Sequence, residues 1–511
     1  MFTSSYAAYK KYAFPHDDLA PVSTGNFDFR NGWGASVVDG MPTMVRPQIA
    51  STNWRLSLAV MQVIMGLEDI FLDAVNFSSQ IDFSMSKVNQ TVSVFETTIR
   101  YIGGLVASYE LSGFQYPVLL AKAKEVADKL ALAWVGNNDI PYGFLNFTTN
   151  EPQIATTNIA EAGSLTLEWS TLSKHTKNAT YGQLATKSVK HIANLPAPLP
   201  GLAAQIIDPT SGDFVGAYVS WGSESDSYFE YLIKYARLSN TDDPIYIDTW
   251  KTAVDSSIRT LIKTSTIGNH TYLADLDDDG NIRHFSSHLA CFHAGNWLYG
   301  GQLVQNQTIV DYGLKLNDGC WNTYASTLTG IGPELFAFIS DDGNFTGGDP
   351  PTAEQLEFYN EHGFYITLPL YILRPEVLES NFYAWRVTGD TKYLDRAASA
   401  IDSFQKYLAT SIGAFAGLND VTNPDAGFWD VMESFWFAEV LKYLYLTFDD
   451  PEHISVDDYV FNTECQPFKA PPALNSYKGS GKSVPSKAFT LHHGEVPAAT
   501  ISGLPRGARS F

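Results

Sequence analysis

The stretch LRPEVLESNFYAWRVTGD, residues 373–390, sets Arg374, Glu376 and Glu379 beside an aromatic-rich helical pattern, with Pro375 where a helix can begin. Three other segments also bring acids to apolar sequence. In VFETTIRYIGG, Glu96 lies one turn before Arg100 and beside the stripe Phe95, Ile99, Ile102, Val106. A structural Glu96–Arg100 salt bridge is the plain alternative there. In SESDSYFEYLIKYARL, Asp226 stands just ahead of the stripe Phe229, Leu232, Ile233, Ala236, where it could cap a helix. In MESFWFAEVLKYLYLTF, Glu433 and Glu439 fall within a strongly apolar helix, where an unpaired carboxylate is costly to bury. One such acid is ordinary; four segments together point to a shared acidic cavity. Glycoside hydrolysis needs one protonated and one ionised carboxyl group flanking the scissile bond, and a hard cation can hold sugar hydroxyls through oxygen ligands.

Composition agrees with a neutral, hydroxyl-rich ligand. Acids outnumber bases, 55 to 33, giving a net charge of −22, so most of the surface repels phosphate backbones and nucleic acid is excluded as a partner. The 11 Trp, 27 Tyr and 31 Phe can fill a large core and supply platforms for sugar C–H faces. Sequons at Asn76, Asn89, Asn146, Asn178, Asn269, Asn306 and Asn344 argue for a secretory route. The start, MFTSSYAAYKKYAF, lacks the apolar run of an export signal, and no stretch is long and apolar enough to span a membrane. Three cysteines allow one disulfide and one leftover thiol.

Three local patterns carry less. DLDDDG at 275–280 opens like a calcium loop, but Ser286 stands where the twelfth-position Glu is needed, and a hairpin turned at Asp279-Gly280 within 270–286 fits better. GSGKS at 479–483 has Ser476 in place of the first phosphate-loop glycine and no strand before it. His284, His288, Cys291 and His293 could suggest zinc, although a secreted chain would more readily place Cys291 in a disulfide.

From about residue 91 to 447 helical stripes alternate with loops rich in Gly, Asn and Asp, which predicts a mostly α, single-domain architecture with short β-hairpins. Residues 469–511, rich in Pro, Gly and Ser, read as a disordered tail.

FPHDDLAPVS, NGWGASVVDG, MGLEDIF, FETTIRYIGGL, SDSYFEYLIK, HLACF, GIGPELFAF, LRPEVLES, ESFWFAEVLKYLYLTF and YVFNTE, in this order from about residue 5 to 467, resemble the class I α-mannosidases, glycoside hydrolase family 47. The helix around Glu376 is most similar to the secreted fungal members. The resemblance implies a single (α/α)7 barrel over 1–468, a bound Ca2+, and inverting removal of terminal α-1,2-linked mannose from high-mannose N-glycans. It implies Glu96 as general acid, Glu376 as the base acting on water, and Asp226 as a third catalytic carboxylate. The first two should stand roughly 6.5–9.5 Å apart, leaving room for water. Thr463 of FNTE matches the calcium ligand. Arg100, His288, Arg374, Glu379, Phe435, Glu439 and Glu464 match the pocket lining, and Cys291 with Cys320 the family disulfide, leaving Cys465 over. A monomer of the secretory pathway acting on mannose oligosaccharides is expected.

Three features depart from the pattern. Glu224, two residues before Asp226, adds an acid on the leaving-group side and opens α-1,6-linked mannose as a substrate. Cys465 replaces a small residue beside Thr463. The 18 residues 45–62 interrupt a helix that DGMPTM and VIMGLEDIF would otherwise continue, and read as an insertion or a retained intron. A glycan-binding relative with weak turnover and a purely structural helical toroid are the rival readings.

Overall fold

The computed structural model describes residues 1–45, 64–484 and 487–494. Apart from Val45, the interruption at 45–62 lies outside the described residues.

Helices dominate because long apolar stripes recur at helical spacing, and they arrange themselves in two rings. The inner ring runs through Ala35–Met44, Gly103–Leu111, Thr166–Thr176, Asp226–Ser239, Phe292–Leu303, Glu376–Thr388 and Leu441–Phe448. Each packs on the next, and the π-helical turn Trp436–Val440 ahead of the last packs on Ala35–Met44, closing the circle. An outer helix follows most of them: Glu68–Ser79, Pro117–Leu130, Thr180–Asn194, Ile245–Thr260, Gln307–Ala325 and Lys392–Tyr407. Phe2–Tyr12 covers the remaining position through Phe2 and Tyr6 against Phe437. This is the expected (α/α)7 barrel.

Sequence explains which helix goes where. Every residue of Ala35–Met44 is buried, as a helix wrapped on all sides requires. Lys392–Tyr407 instead buries only Tyr393, Ala397, Ala400 and Phe404, a single stripe with a charged outer face. Close inner packing depends on glycine: a Cβ on Gly104 would stand 2.4 Å from the Val38 carbonyl oxygen.

Short two- and three-stranded antiparallel sheets decorate the ring ends. The segment 270–286 contains the expected hairpin only at its centre, Asp275–Leu276 against Ile282–Arg283, with Gly280 at φ +81°. Its flanks pair elsewhere, Thr271–Leu273 with Ile262–Thr264 and Phe285–Ser287 with Leu335–Ala337. The disorder expected from 469 does not begin there. Pro467–Lys469 pairs with Tyr459–Phe461, Tyr477 is buried with its hydroxyl donating to Asn240, and Ser480 N donates to Asp248. A buried aromatic ring anchors what composition alone describes as linker. Residues 485–486 and 495–511 of that tail lie outside the described residues.

Cys291, at the cap of the inner helix Phe292–Leu303, and Cys320 of the outer helix Gln307–Ala325 form a disulfide across 29 residues. A closed loop of that length is worth roughly 3–4 kcal/mol. Spread over an unfolding entropy of roughly 2.1 cal/mol/K per residue, the Cys291→Ser/Cys320→Ser variant should melt about 3 °C lower. A calorimetric scan showing no shift would count against that loop contribution.

Candidate active site

The axis of the ring holds a cavity of about 430 Å³. Its wall includes Glu96, Arg100, Glu224, Asp226, Arg374, Glu376, Glu379, Phe435, Glu439, Thr463 and Glu464, which come from five separate stretches of chain. His288 stands one layer behind, reaching the cavity through Glu376.

Glu376 opens the helix Glu376–Thr388, with Pro375 as the residue before the first turn. Its Oε2 lies 2.9 Å from His288 Nδ1, and Arg374 Nη1 donates to its Oε1 at 3.4 Å. Arg374 is itself fixed by Glu334, to which Nε donates at 2.7 and 2.8 Å. Tyr324 OH, 2.8 Å from His288 Nε2, fixes the other side of the ring. Burial works against ionisation of Glu376, but Arg374 and then His288 outweigh it and hold its pKa below the usual 4.5. These contacts favour the carboxylate form of Glu376 at neutral pH.

Glu96 sits where an ordinary helical turn widens into the π-helical turn Thr97–Ile102. Arg100 Nε donates to its Oε2 at 2.8 Å and Arg30 Nε at 3.2 Å. The salt bridge weighed as a plain alternative therefore exists, and it exists inside the cavity. Arg100 also donates to Asp39 and makes a short contact with Glu464.

Asp226 is the first residue of its helix; Ser225 occupies the cap position and no side chain caps the turn. The capping role is thus not realised, because the Asp226 Oδ1 instead accepts from the backbone N and the hydroxyl of Ser227, at 2.6 and 3.1 Å. Burial pushes Asp226 up to about 7, with Glu230 and Glu376 adding to it against Ser227. Burial likewise pushes Glu224 up to about 7, aided by Glu161 and Asp226.

The deepest part is richest in acid. Glu379, Glu439 and Glu464 are 5%, 6% and 2% exposed. Burial raises all three; Glu439 is raised further by Glu464, Glu376 and Glu379. Lys234 pairs closely with Glu230 and stands 4.0 Å from Glu379. Thr463 lines this end of the cavity, and its hydroxyl and carbonyl are the hard donors a calcium ion prefers. A surplus of buried carboxyl groups around hard oxygen donors suits a divalent cation, whose charge would offset the cost of ionising them. Among the described residues no three His, Cys, Asp or Glu side chains converge to enclose one by themselves, so a cation here would need further oxygen donors, which Thr463 could offer. The zinc candidates part company: His284 contacts Ser340 and Asp342, His288 contacts Glu376, and Cys291 is in the disulfide.

Three site segments share a backbone signature. Leu373, Glu224 and Cys465 all have positive φ, at 67°, 70° and 56°, beside Arg374, Asp226 and Glu464. Non-glycine residues adopt this region at a cost, and such strain gathers where a site must be aimed. Sequence reading missed Arg30, Glu161, Glu230, Lys234 and Glu334, which line or brace the cavity. FDFR and PELF surround two of them with apolar residues, the same signal that exposed Glu439.

A closed double ring of helices around an acid-lined cavity is an (α/α) barrel whose site suits a hydroxyl-rich ligand. The chain belongs to glycosyl hydrolase family 47, whose family model matches residues 1–470, and is accordingly a glycoside hydrolase. It is 39% identical over 490 residues to the mannosyl-oligosaccharide alpha-1,2-mannosidase 1B of Aspergillus phoenicis, covering 92% of this chain and 90% of that one. A Coccidioides posadasii mannosyl-oligosaccharide alpha-1,2-mannosidase is 38% identical over 491 residues, with 92% and 89% covered. The solved alpha-1,2-mannosidase from Trichoderma reesei superposes with a TM-score of 0.84 at 37% identity, over 92% of this chain and 97% of that one.

Proposed function

We propose that this protein is a calcium-dependent, inverting exo-α-mannosidase that removes terminal α-1,2-linked mannose from high-mannose N-glycans. The observation that carries the reading is that Glu376, held ionised by Arg374 and His288, and Glu96 line one cavity. Glu376 takes a proton from the attacking water, and Glu96 gives one to the glycosidic oxygen on the other side of the ring. Asp226, near neutrality in its pKa, holds the leaving-group side as a third carboxyl. Phe435 offers a ring face to the sugar. Thr463 would hold the calcium ion, which supplies oxygen-directed binding of sugar hydroxyls.

The relatives' names support the α-1,2 linkage. Glu224 favours a second reading, preference for α-1,6-linked mannose, because it adds a carboxyl to the cavity two residues before Asp226. A lumenal or secreted monomer accords with the disulfide and with exposed sequon residues such as Asn146, Asn178 and Asn344. Among the described residues no helix is long and apolar enough to cross a membrane.

Mannose release from α-1,2- and α-1,6-mannobiose, followed by NMR with and without a chelator, tests all of this. Calcium-dependent release of β-mannose, faster from the α-1,2 disaccharide, is expected. Initial α-mannose would overturn inversion, faster α-1,6 cleavage the linkage, and binding without turnover the enzyme reading in favour of a lectin-like relative.

A further inference from the structure

Asn462 is fully buried behind the cavity wall, and its amide makes four hydrogen bonds. Its Oδ1 accepts from the backbone N of Glu464 at 2.9 Å and from that of Gln466 at 2.7 Å, which folds the turn holding Thr463 and Glu464. Its Nδ2 donates to the Ile99 carbonyl at 3.0 Å and to Glu168 Oε1 at 2.6 Å. A primary amide offers two N–H donors and one oxygen with two lone pairs, so this one is saturated. The acceptor half would fold the turn unaided, as Asp side chains do in many turns. The donor half has no such local task; it reaches across to the helix that carries Arg100.

That helix needs an outside donor because of its π-helical turn, Thr97–Ile102. In an α-helix Gly103 N would donate to the Ile99 carbonyl; here it donates to the carbonyls of Thr98 and Arg100. Ile99 thus loses the donor that regular helix geometry would give it, and Asn462 supplies one. Gly103 makes room for the amide, since a Cβ there would lie 2.9 Å from Asn462 Nδ2. The other anchor is shared: Tyr231 OH donates to Glu168 Oε1 at 2.6 Å and accepts from Thr463 N at 3.3 Å. The turn is therefore pinned against three inner-ring elements, through Ile99, Glu168 of Thr166–Thr176 and Tyr231 of Asp226–Ser239.

We propose that Asn462 is a positioning residue that sets the Thr463–Glu464 turn against the π-helical turn behind Glu96, so that cation binding and proton donation depend on one buried amide. The assignment rests on the calcium-dependent mannosidase reading above. It adds a residue that acts through backbone carbonyl and amide groups without lining the cavity itself. Outer partners of this kind orient the groups that do the binding and the chemistry.

Asn462→Asp isolates the link. It keeps the oxygen that accepts from Glu464 and Gln466, and replaces the donor with an oxygen facing the Ile99 carbonyl and Glu168. The full chain, stripped of metal and titrated with Ca2+ in a calorimeter, should bind the ion about 10–100-fold more weakly than wild type. At saturating Ca2+ its kcat on α-1,2-mannobiose should still be about tenfold lower, a loss that weaker calcium binding cannot produce. Gly103→Ala crowds the amide away from Ile99 without changing any charge, in a helix that alanine favours, and should give both losses in smaller measure. Adding Glu168→Gln to Asn462→Asp returns an N–H to the link and should recover at least about threefold in calcium affinity and in kcat. A merely structural amide would show neither the kcat loss in folded protein nor this rescue. Wild-type calcium affinity and kcat in Gly103→Ala and in folded Asn462→Asp would overturn the proposal. Weaker calcium binding with kcat intact at saturating Ca2+ would also overturn it, by confining Asn462 to its own turn. Should Asn462→Asp fail to fold, Gly103→Ala decides by the same two measurements. A wild-type chain that neither binds Ca2+ nor releases mannose would instead remove the reading on which the proposal rests, and the proposal with it.

Discussion

Glu376→Gln should lower kcat on any cleaved mannoside by about 10³–10⁴, near the upper end of what one general base contributes. The expected loss is catalytic and not structural. Arg374 keeps its bidentate contact with Glu334, and the amide oxygen can still accept from His288. Melting temperature should therefore move by no more than about 2 °C, while substrate KM stays near wild type. The pH profile gives an independent reading. A base must be deprotonated, so kcat/KM falls as pH drops through the Glu376 pKa, which Arg374 and His288 hold below 4.5. Removing His288 with His288→Asn takes away one lowering contact, and the acid limb should move to higher pH. An active Glu376→Gln enzyme, or an acid limb unmoved by His288→Asn, would reassign the base.

Much of this site is legible in the sequence, because acids set in apolar helices are costly unless used. Glu96, Asp226, Glu376, Glu379 and Glu439 stand out on that ground, and all line one cavity. The stripe Phe229, Leu232, Ile233, Ala236 is buried as its spacing demands. The Phe95 stripe is only partly so: Ile102 and Val106 enter the core, whereas Phe95 and the buried Ile99 line the cavity. The cause is the π-helical turn Thr97–Ile102, which shifts the register where Arg100 must reach inward. A second π-helical turn, Trp436–Val440, does the same for Glu439. Uniform helical periodicity cannot reveal either turn. It also conceals Arg30, Glu230 and Glu334, whose partners lie 66, 4 and 40 residues away: only Glu230–Lys234 is local, and by itself it reads as a surface pair. The tail was misleading for a different reason, since one buried ring, Tyr477, outweighs a polar composition.

Arg100→Met should be the most destabilising single change in the site, by about 3–5 kcal/mol, the cost of stripping one partner from a buried ion network. The guanidinium contacts Glu96, Asp39 and Glu464 together, and Ser434 at 3.4 Å. Methionine fills much of the volume but leaves three carboxyl groups facing one another. The sign of the pH dependence separates this cause from simple loss of packing. Burial already raises Glu464 well above 4.5, with Arg100 opposing the rise; without Arg100 the folded-state pKa climbs further. A group whose folded pKa lies above its unfolded value favours folding fully below the unfolded value, and that contribution is lost as pH rises through the folded one. Because the unfolded value is common to both proteins, the melting deficit of Arg100→Met should be smallest below the wild-type folded pKa of Glu464 and grow as pH rises through it. Arg100→Lys keeps the charge but not the planar fork that serves three acids, and should fall between the two. A deficit that stays the same across the whole pH range in which the fold persists would show that Arg100 acts as filler. One that grows with pH would establish that the inner ring is held together by the same charges that line its site.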